Sequence, residues 1–283
     1  ALWTAGDADG AKRAVEKALD LVRETGDLNR QAWNLNALAT MQSDAVASDE
    51  AGAHFREAIA LARQAGRPTV WYLAAYSGFL ELRGDLDGAQ TQCEQAPAEA
   101  KKQSDRQLGP YAESQCAAVT LDPGEVDAAI AGYQRSQAAA REIKDHYFDA
   151  IAALGIGQIA IGRKRWPGAR EALVHAIDEF VIIGEAAGEA NAQGLLALCD
   201  AALEKNSDSE HAAARARELR ARINQRQQVF VVDLALAQLQ GRTGARGAVV
   251  AKLRAMAIDA EQRQWLSLSL EAKLAAWELL QER

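Results

Sequence analysis

Two stretches carry the opening of a cation loop: GDADGA at residues 6–11 and GDLDGA at residues 84–89. Each sets two carboxylates two residues apart just before a glycine, which is how oxygen ligands begin to surround calcium. A complete loop needs a third ligand before that glycine and a glutamate at its twelfth position, and neither string supplies them in register. Asp7 and Asp85 therefore read as helix N-caps accepting from free backbone N–H groups, with Gly6 and Gly84 turning the chain before them. GIGQIA at 155–160 fits G-x-G-x-x-A, but that fingerprint binds a dinucleotide only between a strand and a helix. Here HYFDAIAALGIGQIAIG reads as one uninterrupted helix.

The histidines, His54, His146, His175 and His211, form no H-E-x-x-H pair. Glu171, His175 and Glu179 follow one another at four-residue spacing on one helix face, a set that could hold a metal but reads better as ion pairs and hydrogen bonds. Cys93, Cys116 and Cys199 are widely spaced, with no C-x-x-C and no histidine to complete a zinc set, so reduced thiols are expected. No G-x-S-x-G and no phosphate loop is present. The expectation is a protein without catalytic residues, metal or cofactor. RARELRARINQRQQ at 215–228 puts Arg215, Arg217, Arg220, Arg222 and Arg226 along both edges of a narrow apolar stripe. Such cations flank a buried seam with their heads in water, and an acidic partner could use them.

The elements that must carry these residues are helices. The chain has 283 residues, 49% apolar and 25% charged, with only five prolines and a formal charge of −7. That composition is globular and helix-favouring, and its charge gives no general attraction to nucleic acid or anionic membrane. No apolar run approaches the ~20 residues of a membrane helix. A cytoplasmic location is expected.

The two Asp-Gly strings lie 78 residues apart, and small residues mark the interval between them. Pairs seven apart recur at Ala11 and Ala18, Ala51 and Ala58, Ala89 and Ala96, Ala129 and Ser136, Ala169 and Ala176, and after a weak copy at Ala248 and Ala255. Twelve residues before a marker comes another small position: Ala39, Ser77, Ala117, Gly157 and Ala197. Small side chains two turns apart on one helix face let a neighbouring helix approach closely. Each unit of about 40 residues therefore holds two helices. Pro68, Pro123 and Pro167 fall at helix starts, and Gly26, Gly66 and Gly184 at helix ends. Pro97 lies inside a helix, which it should kink or divide.

This pattern of a small residue late in one helix and two seven apart in the next resembles the tetratricopeptide repeat family, in its 40-residue form. The resemblance implies an all-α fold: a right-handed α-solenoid of about seven antiparallel helix pairs, one array over 1–283, with 265–283 as a terminal helix. It also implies a concave groove lined by the first helix of each pair. Carried over position by position, the groove takes Trp33, Asn36, Thr40 and Ser43, then Trp71, Ala74, Gly78 and Glu81, then Tyr111, Ser114 and Ala118. Ile151, Leu154 and Gln158 follow, then Asn191 and Gly194, then Phe230, Asp233 and Ala237. The two-carboxylate clamp of the family's chaperone-binding members is incomplete here, with Ala75 in place of its asparagine and Tyr111 and Gln115 in place of its basic pair. Aligning GDADGA with GDLDGA sets ALWTA against the end of a first helix, so the chain is expected to start inside a repeat of a longer protein. The expected role is a scaffold for a peptide or partner protein in bacterial signalling, with self-association as the second possibility and a helical ligand sensor or enzyme as the third.

Overall fold

Long alanine- and leucine-rich segments, many of them capped by a side chain or closed by a left-handed residue, become helices throughout the computed structural model. It describes residues 8–103, 108–121, 125–244 and 246–281. Among them are fourteen helices: α1 Ala8–Thr25, α2 Leu28–Ala45, α3 Asp49–Gln64, α4 Val70–Leu82, α5 Leu86–Gln103, α6 Leu108–Leu121 and α7 Val126–Ile143. The rest are α8 His146–Gly162, α9 Trp166–Ile183, α10 Ala186–Ala202, α11 Asn206–Arg220, α12 Arg226–Thr243, α13 Arg246–Gln262 and α14 Leu266–Gln281. The first helices of the repeat are the even-numbered ones. The described residues contain no strand.

Local chemistry fixes the helix ends. Asp27, Ser48, Asp145 and Glu185 accept from the backbone N–H three residues on, and Asp85 Oδ1 accepts from Gly88 N at 3.0 Å. The Asp85 string is thus a cap, while Asp7 lies outside the described residues. Gly184 closes α9 at φ +67°, where a side chain would be strained, and Pro167 sits in the first turn of the same helix, where a missing N–H costs nothing. Pro123 lies outside the described residues. Pro97 does not divide its helix: α5 continues through it.

The chain falls into two compact units, residues 1–132 with 263–265, and residues 133–262 with 266–283. In the first unit, α2, α4 and α6 pack on one another in succession, and α3 and α5 each pack against the first helix before them. Phe55, Tyr76 and Phe79 form its aromatic centre, with ring centroids 5.4 to 6.0 Å apart. Arg263–Trp265, remote in sequence, belongs to this unit: Trp265 is fully buried and its Nε1 donates to the Ser43 carbonyl at 2.9 Å. In the second unit, α8, α10, α12 and α14 pack in succession, and α9, α11 and α13 pair with them.

The small positions are where the helices close on one another. Ala39, Ser77, Ala117 and Ala197 are buried, as are the second-helix pairs from Ala51 to Ala176. A methyl group built on Gly157 would meet Leu173 Cδ2 at 2.9 Å. The α13 markers need correction: Ala248 and Ala255 are exposed, and Val249 is buried. A strict step of 40 from Ala169 reaches Ser209 and then Val249, both buried, so the weak copy is Ser209 with Ala216. The pattern never breaks; it loses its alanine.

This register predicts a contrast between two chemically identical substitutions. Overpacking a closed contact costs ~1–3 kcal/mol, whereas an exposed site changes stability by no more than ~0.5 kcal/mol. Ala169→Leu should lower the urea midpoint by the larger amount, with the slope unchanged, and Ala248→Leu should leave it in place. Urea titration followed by circular dichroism separates the two.

Candidate functional site

Trp33, Trp71 and Tyr111 lie six residues before the small positions Ala39, Ser77 and Ala117, so stacking α2, α4 and α6 brings them into line. The rings form a ladder. Trp33 and Trp71 stack at 6.4 Å between centroids and 25° between planes, and Trp71 and Tyr111 at 4.4 Å and 28°. Trp71 and Tyr111 are half-buried, but Trp33 at the end of the row is 58% exposed. Part of this surface is thus spent joining successive helices, and part faces solvent.

The other groove positions divide by their place on the helix. Those three residues before the small position are enclosed rather than on the open side: Asn36, Ala74, Ser114 and Leu154 are all buried. Asn36 Oδ1 is buried without a hydrogen-bond partner, and Ser114 Oγ donates to the Tyr111 carbonyl at 3.2 Å. Thr40 is half-buried and donates to the Asn36 carbonyl at 2.9 Å. Glu81 is half-buried, and Gln115 of α6 lies against Gly78 of α4, where an added methyl would meet its Nε2 at 2.7 Å.

In the second unit Gln158 is exposed, Asn191 is buried, and Asp233 is half-buried and held by Arg220 at 2.9 and 2.6 Å. Phe230 and Ala237 lie in the core. Ala237 is itself the small position of α12, one step of 40 beyond Ala197. On α2, α4, α6 and α8 the open side is therefore carried by the residue six before the small position and the one just after it, whereas on α10 both, Asn191 and Leu198, are buried.

The second unit holds a polar cluster. Asp149 of α8 is 5% exposed and accepts from Gln137 Nε2, Arg141 Nε and His175 Nε2, each at 2.8 Å, and His146 Nδ1 meets Glu179 at 2.5 Å. Burial pushes the Asp149 carboxyl up, but the hydrogen bonds from Arg141, His175 and Gln137 outweigh it and leave its pKa below the ordinary carboxylate value. Asp149, His175 and Glu179 offer ligand atoms within 4.8 Å of one another, a different trio from the Glu171, His175 and Glu179 face read in the sequence. The Arg141 guanidinium already supplies the positive charge beside Asp149, so the cluster serves first as an ion-pair network tying α7, α8 and α9 together.

Glu189 of α10 occupies the position 40 residues beyond Asp149, and it too is buried and bonded to an arginine, Arg215 at 2.7 and 3.2 Å. Arg170 reaches the buried Asp200 at 2.8 Å in the same way. These acids were missed in the sequence, although Asp149 and Glu189 stand out as acids one repeat apart in largely apolar helices. The 215–228 stretch is correspondingly committed: Arg215 also pairs with Glu218 at 2.9 Å, Arg222 with Glu218 at 3.0 Å, and Arg220 with Asp233. GIGQIA lies wholly inside α8, with Gly155 against the Tyr133 ring and Gly157 against Leu173, so its glycines serve packing.

No protein-family model and no curated protein matches the sequence. Solved structures do match in fold. The chain resembles a Rap protein complexed with Competence and Sporulation Factor, at 12% identity and TM-score 0.64, covering 90% of this chain and 76% of that one. It resembles BtubC from P. vanneervenii at 13% identity and TM-score 0.61, covering 76% and 91%, and aspartyl phosphate phosphatase F from Bacillus subtilis at 11% and 0.60, covering 92% and 74%. The fold is a tetratricopeptide-type helical repeat.

The Asp149 network sets a pH dependence. A carboxyl whose folded pKa lies below its unfolded value contributes stability that is complete above about pH 4 and is lost as the pH falls through the folded value. Asp149→Asn should cost about 1.5–3 kcal/mol at pH 7, where charged hydrogen bonds are lost. The gap to the wild type should narrow below about pH 4, as the wild-type carboxyl protonates. Urea midpoints measured from pH 7 to pH 3 check both.

Proposed function

We propose that this protein is a non-enzymatic interaction scaffold that binds a peptide or a partner protein on the open side of its first helices. In the first unit the contact surface is the Trp33, Trp71 and Tyr111 row. The observation that carries this reading is the ladder itself: three aromatic rings at one repeat position, ending in a tryptophan 58% exposed. Tryptophan and tyrosine anchors supply large contact areas at low entropic cost, and a solenoid spaces them to meet successive side chains of an extended or helical ligand.

A regulatory setting in a bacterial signalling protein of the cytoplasm belongs to the same reading. It is supported by the likeness to a Rap protein solved with Competence and Sporulation Factor. A net charge of −7, and arginines already paired within the chain, speak against nucleic acid as the partner. No helix among the described residues is long and apolar enough to cross a membrane.

A linear-peptide library displayed on phage, selected on the full chain, tests this. A selected peptide should bind Trp33→Ala at least ~30-fold more weakly, the equivalent of an anchor worth ~2 kcal/mol, while the variant keeps its melting temperature. Equal binding to both proteins, or a library that yields no specific peptide, would remove the row as the contact surface.

One observation favours self-association as a second reading. On α14, Leu266, Leu270, Leu274, Trp277 and Leu280 are between 49 and 67% exposed and fall within one side of the helix, opposite the buried Leu268, Ala272, Ala276 and Leu279. A two-fold axis across this stripe would set two copies of α14 antiparallel, Leu270 of one against Trp277 of the other. The pair would bury roughly 1,000 Å², the lower bound for a specific interface. Sedimentation over a concentration series should show a dimer that Trp277→Glu dissociates. A wild-type monomer at every concentration would rule it out.

A further inference from the structure

Cys93 of α5 and Cys116 of α6 come together in the first unit although 23 residues separate them. Cys116 Sγ donates to the Cys93 carbonyl oxygen at 3.3 Å. Ser77 Oγ of α4 lies 3.2 Å from the Cys93 sulfur. Cys93 is 6% exposed and Cys116 is half-buried, so one thiol of the pair is sheltered and the other can be reached from solvent. The third cysteine stands apart from them: Cys199, in the second unit, is fully buried and donates to the Trp166 carbonyl at 3.0 Å.

We propose that Cys93 and Cys116 are a redox-active thiol pair that a low-molecular-weight disulfide oxidises to an intrachain disulfide joining α5 to α6. Cys116 is the encounter thiol. It loses its proton to solvent, and its sulfur attacks the small disulfide; the S–S bond of the reagent breaks, and one thiolate departs and takes up a proton. Cys93 then resolves the mixed disulfide. Its thiolate attacks Cys116 Sγ, the bond to the reagent breaks, and the second small thiol leaves. Two protein thiols are oxidised and one small disulfide is reduced to two thiols, with no other reactant required.

The surroundings suit these roles. While Cys116 is a free thiol, its hydrogen bond, helped by Ser77, outweighs burial and the nearby Glu94 charge and lowers the Cys93 pKa; in the mixed disulfide the Ser77 hydroxyl, 3.2 Å from the Cys93 sulfur, is the donor left to favour its thiolate. Burial and the adjacent Asp200 charge push the Cys199 thiol up to about 11, which leaves it inert at neutral pH. α5 and α6 pack on one another, and Cys116 Sγ lies 3.3 Å from the Cys93 carbonyl oxygen, so the two side chains are adjacent. The bridge would pin α6, which carries Tyr111, to α5 and constrain the chain between them in the unfolded state.

The test uses the full chain and oxidised glutathione at pH 8, read by free-thiol titration, intact mass and peptide mapping. Free thiols should fall from three to one, with a Cys93–Cys116 cross-linked peptide, Cys199 unmodified, and a raised melting temperature that dithiothreitol reverses. Cys93→Ser should instead accumulate glutathione on Cys116. Three unreacted thiols, a mixed disulfide that persists on wild-type Cys116, or any bridge to Cys199 would overturn the proposal. The wild-type measurement alone decides it should the variant fail to fold.

Discussion

Everything in this chain depends on how closely its helices are allowed to approach. Axes come to the short end of the usual 8–10 Å range only where the residue at the crossing is small. The fold meets that requirement with Ala39, Ser77, Ala117, Gly157 and Ala197 on first helices, and with pairs such as Ala51 and Ala58 or Ala169 and Ala176 on second helices. Because these contacts recur at nearly constant spacing, every other residue inherits a fixed environment from its distance to the nearest small position. Core, inter-helix seam and open side are set together.

The surface chemistry follows from this inheritance. Six residues before the small position, a side chain reaches both the neighbouring first helix and solvent, and aromatic residues there stack into a ladder. Three residues before it, a side chain is enclosed, which suits Ala74 and Leu154 and leaves the Asn36 acceptor unsatisfied. Eight residues before it, the second unit places Asp149 and Glu189, each bonded to arginine from an adjoining second helix. Such buried pairs contribute little net stability against an apolar alternative, but removing one partner is costly. They therefore hold the helices in a particular register.

Much of the fold was legible because small residues at a fixed period leave a trace in the letters themselves. The trace failed where the contact was made by another residue type. Ser209 and Val249 fill the position that alanine occupies elsewhere, and the alanine next to Val249, Ala248, is exposed. Of the candidate site, the alignment of Trp33, Trp71 and Tyr111 could be read, because it needs only the period. Which groove positions are enclosed could not, because that depends on how tightly successive first helices close. Contacts made across the sequence left no local signal either: His175 meets Asp149 from 26 residues away, Cys116 meets Cys93 from 23, and Trp265 meets Ser43 from 222.

The central claim is that the aromatic row on α2, α4 and α6 is where a partner is held. Six tryptophans give six reporters distributed over the chain. The most direct measurement follows their indole N–H resonances by NMR while a selected peptide is titrated in. The account predicts saturable shifts of Trp33 and Trp71, with Trp166, Trp265 and Trp277 unmoved. Shifts confined to Trp277, or none at Trp33 at saturation, would contradict it.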